Sequence, residues 1–180
     1  MSEFEGSHGT SKSRADKIKK EGFTESTGRG GSGIYFWCHG RYNTMLAIGW
    51  YKFQCKKKVF VQDKDPLAAV IIAKLEEEDS KVLNMENIKF KERIDQLAED
   101  MDIDKNKEPD IAAIYDLFIE DLELKSNSRF SILLLKVAPP PINYCPEYSI
   151  KILGAPLCCV VRDQACIKIL RITEGEDENG

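Results

Sequence analysis

The 180-residue chain predicts an α+β fold with mainly antiparallel pairing, and three observations lead there. Strand-sized apolar runs and helical repeats follow one another without the regular alternation that builds a parallel sheet. No stretch approaches the roughly 20 continuous apolar residues that a membrane-spanning helix needs. The composition, 42% hydrophobic and 31% charged, suits a globular domain with a core of its own.

Residues 2–9 read as an extended segment leading into Gly9. Ser11 or Ser13 caps a helix through Arg14 to Lys20, ended by Gly22, with Ala15, Ile18 and Phe23 as its modest apolar stripe. The glycine-rich stretch Thr27–Gly33 reads as loop, followed by the aromatic run Ile34-Tyr35-Phe36-Trp37. A second helix fits 41–53, where Tyr42, Met45, Leu46, Gly49, Trp50 and Phe53 recur at helical spacing, and Val59-Phe60-Val61 reads as a strand. Residues 68–75 fit either period, and their β-branched content tips them to a strand.

An acidic, mostly helical segment spans about 76–125, with helices near 87–100 and 110–122. The charged stretch between them lacks the glycine and distal glutamate of a calcium loop and reads as a solvated turn. Phe130–Ala138 reads as a long strand stopped by Pro139-Pro140-Pro141. Tyr148–Leu153, Cys158–Arg162 and Ile167–Ile172 read as three more strands. Together these make one domain over 1–173, with 174–180 an acidic tail expected to fray.

The net charge of −4 conceals a gradient. Residues 1–62 hold 11 basic and 5 acidic side chains, residues 63–128 hold 9 and 19, and residues 129–180 hold 6 of each. A basic first third either faces phosphates, of a dinucleotide or of RNA, or complements the acidic middle within the fold. The six cysteines are irregularly spaced, without the paired C-x-x-C of a structural zinc site. They read as reduced, mostly buried thiols, and no metal is expected. The polar N-terminus has no secretory pattern, so a cytoplasmic location and no membrane partner are expected.

Two short motifs carry chemistry. His8-Gly9-Thr10 sits at a strand end before a helix, where an imidazole can bond a ribose hydroxyl and Gly9 leaves its main chain open to a planar amide. In Gly33-Ile34-Tyr35-Phe36 the glycine permits close backbone approach, and Tyr35 can stack on an aromatic ring. Each has an ordinary reading beside it: a surface turn for the first, core packing for the second. The glycines fit neither a Walker loop nor a Rossmann fingerprint.

Taken in order, the strand, His8-Gly9-Thr10, the helix with Ile18, Gly22-Phe23, the glycine loop and Gly33-Ile34-Tyr35-Phe36 resemble the front half of the ADP-ribosyltransferase fold. The resemblance is to the His-Tyr-Glu class of diphtheria-type toxins and poly(ADP-ribose) polymerases. It implies a split, mainly antiparallel sheet with flanking helices, and NAD as substrate. Carried over, His8 holds the nicotinamide ribose and Gly9 the carboxamide, with Thr10 and Gly33 in the same cofactor site, while Tyr35 stacks on the nicotinamide. His8 and Tyr35 are the catalytic candidates.

The later runs 130–138 and 159–164 look like that family's central strand and third motif, with Cys158 where the family places its glutamate. Many relatives without that glutamate are similar to mono-ADP-ribosyltransferases, and Glu147 or Asp163 are the carboxylates that would substitute. The implied activity is mono-ADP-ribosyl transfer to a protein, RNA or DNA acceptor. By analogy this is an intracellular toxin or anti-phage defence effector with a neutralising antitoxin. The alternatives are a non-catalytic NAD or ADP-ribose binding module and a NAD glycohydrolase.

Overall fold

The computed structural model describes residues 1–175. In chain order it contains β1 (Ser2–Ser11), α1 (Lys12–Glu21), β2 (Ser26–Gly28), β3 (Gly31–Trp37), α2 (Asn43–Lys56), β4 (Ala68–Glu77) and β5 (Val82–Asn84). There follow α3 (Ile88–Asp100), α4 (Glu108–Ser126), β6 (Ile132–Lys136), α5 (Ile150–Leu153), β7 (Leu157–Val161) and β8 (Ile167–Glu174). The strands form one sheet in the order β5-β6-β7-β3-β1-β4-β8, with β2 paired to β3. Every pairing is antiparallel except β5 with β6. The fold is therefore α+β.

β4 is buried on both faces because it lies between β1 and β8 with helices above and below, and its near-continuous apolar run follows from that. Ala69, Ile71, Ala73 and Leu75 join Ala15 of α1, Phe23, Ile34 and Phe36 in the core on one face. On the opposite face Val70 and Ile72 meet Leu46 and Ala47 of α2. Farther along that face, Leu133, Leu135 and Val160 meet Ile114 and Phe118 of α4 and Ile94 of α3. At the start of α1, Ser11 is the cap, its hydroxyl accepting from the Arg14 N–H at 3.3 Å.

Five sequence expectations change. Thr27–Gly33 is not loop: Ser26–Gly28 pairs with Gly31–Gly33 around a turn at Arg29 and Gly30. Glycines suit this tight pairing as well as a loop, which composition alone does not decide. Val59–Val61 is a turn, held by Phe60 stacked on Tyr51 with centroids 5.1 Å apart, while Val59 and Val61 point outward.

Tyr148–Leu153 is a single helical turn instead of a strand. The Tyr148 hydroxyl bonds the Gly154 carbonyl at 2.8 Å, and Ile150 and Ile152 lie exposed, so no sheet face claims them. The central strand is shorter than Phe130–Ala138, because Val137 already leaves the ladder to bond Pro156. Glu174 ends β8 and pairs with Lys12, so the ordered chain runs past 173; residues 176–180 of the expected tail lie outside the described residues.

Candidate functional site

The sheet is nearly interrupted between β1 and β3, which are joined through one residue pair, Ser7 with Trp37. Beyond it the two strands diverge, and a cavity of about 560 Å³ occupies the opening. Its floor is His8, Gly9, Tyr35, Phe36, Trp37 and Cys158. One wall is the hairpin Ser26–Arg29, and the other is a single stripe of α2, Trp50, Phe53, Gln54 and Lys57, at the i, i+3, i+4, i+7 spacing of one helical face. Val137–Pro141 and Glu108 complete the rim.

Gly9 contributes main chain. The Ala68 carbonyl accepts from Gly175, the Val70 carbonyl from the Thr173 hydroxyl, and the Glu5 carbonyl from Asn43 Nδ2. Ser11 pairs with Ala68 and Gly9 with Val70. These bonds fix the two-residue period of β1 so that Glu5, Ser7, Gly9 and Ser11 turn their main-chain groups away from β4. For Ser7 that direction leads to Trp37; for Gly9 it leads to the cleft. A side chain at Gly9 would meet the Ala47 carbonyl oxygen at 2.0 Å, so glycine is also what lets α2 lie this close to β1.

The His8 ring fills the start of the gap. Its Nδ1–H donates to the Tyr35 carbonyl at 2.9 Å, because a carbonyl can only accept. Nε2 is then the free lone pair. Burial lowers the His8 pKa below its usual value, only partly offset by this hydrogen bond, so the ring is neutral at pH 7. Phe23 stands edge-on to the ring at 5.5 Å, with Phe36 at 5.8 Å. Phe23 is itself gripped by Gln164, which accepts from its N–H at 2.9 Å and donates to its carbonyl at 2.7 Å.

Tyr35 is fixed by its own hairpin. Its hydroxyl donates to the Gly31 carbonyl at 2.5 Å and accepts from the Gly30 N–H at 3.1 Å. Burial raises its pKa, so it stays a phenol. With the hydroxyl engaged, the ring is what the residue offers the cleft. A Cβ at Gly28 would stand 2.8 Å from the end of that ring, so this position also needs glycine. The hairpin is tied to α4 by Asp116, which accepts from the Ser32 N–H and the Ser32 hydroxyl, each at 2.8 Å.

His8, Gly9 and Tyr35 thus meet in one cleft, but Thr10 and Gly33 do not line it. Thr10 is buried, and Gly33 lies against β7, where a Cβ would come within 2.6 Å of Val160 Cγ1. Cys158 does reach the floor, opposite Trp37 in the β3–β7 ladder; burial pushes its thiol pKa up, so it brings no charge.

Neither Glu147 nor Asp163 lines the cleft. Glu147 lines a second hollow with Arg41, Tyr42 and Met45, and Asp163 caps the Ala165 N–H at 2.9 Å. Among the described residues the carboxylate lining the cleft is Glu108, at its rim and 3.2 Å from Arg29 Nε.

Sequence reasoning did not single out Glu108, Asp116, Gln164 or the α2 stripe. Each acts across a separation in the chain, and only the helical spacing of Trp50 and Phe53 was visible as a signal. Among the described residues no group of His, Cys, Asp or Glu is gathered to hold a metal, and no helix is long and apolar enough to cross a membrane. Compared with family models, curated proteins and solved structures, the chain matches none.

Proposed function

We propose that the cleft binds NAD and that the protein transfers its ADP-ribose to a macromolecule. The observation that carries this reading is the meeting of three groups where β1 and β3 part: the main-chain amide of Gly9, the neutral imidazole of His8 and the clamped ring of Tyr35. A main-chain N–H and C=O side by side match the carboxamide of nicotinamide, which has one acceptor and one donor in a plane. The Tyr35 ring supplies the stacking face, and His8 Nε2 accepts from a ribose hydroxyl. Arg29 and Lys57, on opposite walls, suit a pyrophosphate. The cavity is in the range of small-molecule sites.

Nicotinamide in NAD is a cationic leaving group. As its bond to the ribose C1′ breaks, the electron pair goes to the ring nitrogen and positive charge develops on the ribose. The acceptor then forms the new bond to C1′ and gives up a proton. Positioning carries most of this catalysis, since both reactants are held in one cleft. With a neutral thiol at Cys158, no carboxylate on the floor stabilises the ribose cation or activates a second ribose hydroxyl. That favours a single transfer over chain elongation.

The test is to follow nicotinamide release from NAD with cell lysate present, and to trace labelled ADP-ribose into protein and nucleic-acid fractions. His8→Ala and Tyr35→Ala should each lower release by two orders of magnitude or more, by analogy with loss of a positioned acid–base or orienting group, with circular dichroism unchanged. No release from the wild-type protein under any condition would sink the transferase reading. Release with label in neither fraction would make the protein a glycohydrolase, and saturable NAD binding without release would make it a binding module.

A further inference from the structure

The surplus positive charge of the first third collects at one place. Lys12, Arg14, Lys17 and Arg29 each meet a carboxylate. Several carboxylates of the acidic middle pair within that segment, as with Lys91, Lys105 and Lys125. Of the seven first-third cations that meet no carboxylate among the described residues, Lys19 and Lys20 end α1 and Arg41 precedes α2, whereas Lys52, Lys56, Lys57 and Lys58 stand together, four cations in seven residues at the end of α2. Helix-dipole compensation accounts for a cation in the last turn, such as Lys56. It does not account for Lys52 a turn earlier, for Lys58 beyond the helix, or for the aromatic surface beside them.

That surface is Trp50 and Phe53. Their ring centroids lie 5.8 Å apart on the stripe of α2 that faces the cleft, Trp50 is 39% exposed, and Lys57 Nζ stands 4.4 Å over the Phe53 ring. An exposed indole and a half-buried phenyl ring beside a lysine cluster at the end of one helix match the pairing of base and phosphate in a nucleic-acid strand. An acidic protein would answer the lysines but has no use for open rings at this spacing. A duplex would answer the lysines while keeping its bases stacked away from both the rings and the cleft. We infer that this shelf receives the acceptor and that the acceptor is single-stranded nucleic acid, an inference that rests on the ADP-ribosyltransferase reading of the cleft.

Stacked on Trp50, a base or strand end is held at the mouth of the site that binds NAD. A nitrogen or oxygen nucleophile of the strand attacks the ribose C1′, the bond to nicotinamide breaks with its electrons going to the ring nitrogen, and the proton of the nucleophile passes to water. Salt-sensitive capture by the lysines comes first, and stacking then selects for unpaired bases.

The test uses fluorescence anisotropy without NAD, on a single-stranded RNA of roughly 20 nucleotides, the same sequence as DNA, and the duplex, at about 50 and 200 mM salt. In parallel, nicotinamide release is measured on matching samples supplied with NAD, with and without the strand. Single strands should bind at least about tenfold more tightly than the duplex, and the RNA and DNA arms tell which sugar is preferred. Lys52→Ala/Lys56→Ala/Lys58→Ala, none of which lines the cleft, should weaken binding at least about tenfold at low salt. It should also flatten the log-affinity versus log-salt slope by about 2, at roughly 0.7 per phosphate, and lower strand-stimulated release while release without the strand stays unchanged.

Trp50→Ala should cost about fivefold or more in affinity with no change in slope. Wild-type protein that releases nicotinamide and labels only protein, without binding single strands, overturns the inference and leaves the NAD reading standing. Equal binding by wild type and the triple variant overturns it as well. Lysine-dependent strand binding without nicotinamide release keeps the shelf as a nucleic-acid surface and removes the transferase reading instead.

Discussion

His8 and Tyr35 are chemically tied, the imidazole proton of one resting on the main-chain carbonyl of the other. That tie settles which nitrogen is free and makes the ring sensitive to acid. Because burial depresses the His8 pKa below its usual 6.5, the unfolded chain takes up the proton first as pH falls. The contribution of neutral His8 to stability is therefore fully present above about 6.5 and is lost as pH drops from there towards the folded-state pKa. Urea unfolding between pH 8 and 5.5 should show this loss, and His8→Asn, which cannot titrate there, should remove it. Cys158→Glu probes the same floor from the other side. A carboxylate placed opposite Trp37 should raise nicotinamide release if the ribose cation forms there, measured as kcat at saturating NAD.

Elements rather than residues set the shape of the Tyr35 pocket. α4 reaches β3 through Asp116, and the glycine pair Gly28 and Gly31 lets the hairpin close over the tyrosine ring. Asp116→Ala leaves both Ser32 donors without this acceptor, at a cost of about 1–3 kcal/mol in stability, and should raise the KM for NAD more than it lowers kcat. Gly28→Ala forces the ring aside and should abolish NAD binding with a smaller loss in thermal stability.

At this scale the sequence was informative where a local pattern decides the structure. The Ser11 cap, the Gly22 stop, the strand at 68–75 and both acidic helices are local propensities that tertiary packing left in place. The hairpin at Thr27–Gly33 and the helical turn at 150–153 were not legible. Glycine-rich and short apolar segments take whichever form their neighbours impose, and the neighbours, Asp116 in α4 and Gly154 in the following turn, are not written in their periodicity.

For the whole molecule, the balance of charge and the order of the strands matter most. His8, Gly9 and Tyr35, singled out from two short motifs, line one cleft, whereas its walls come from α2, α4 and the proline segment and depend on the assembled topology. Away from the cleft, Glu77 ends β4 with its carboxylate pKa lowered to about 2, chiefly by the Glu78 N–H and then by Ser131, with Cys166 and Lys81 beside it. This stabilisation is present above the usual value near 4.5 and disappears as pH falls through about 2. Acid unfolding of Glu77→Gln should be less steep in that interval than that of the wild type.

The parting of β1 from β3 beyond Ser7 and Trp37 leaves a strand edge inside the protein. Elsewhere such an edge invites a neighbouring chain to add itself, the first step of edge-to-edge aggregation. Here α2 stands on one side of the opening and the hairpin on the other. The walls that shape the cleft are also what a second polypeptide would have to displace to pair with this edge.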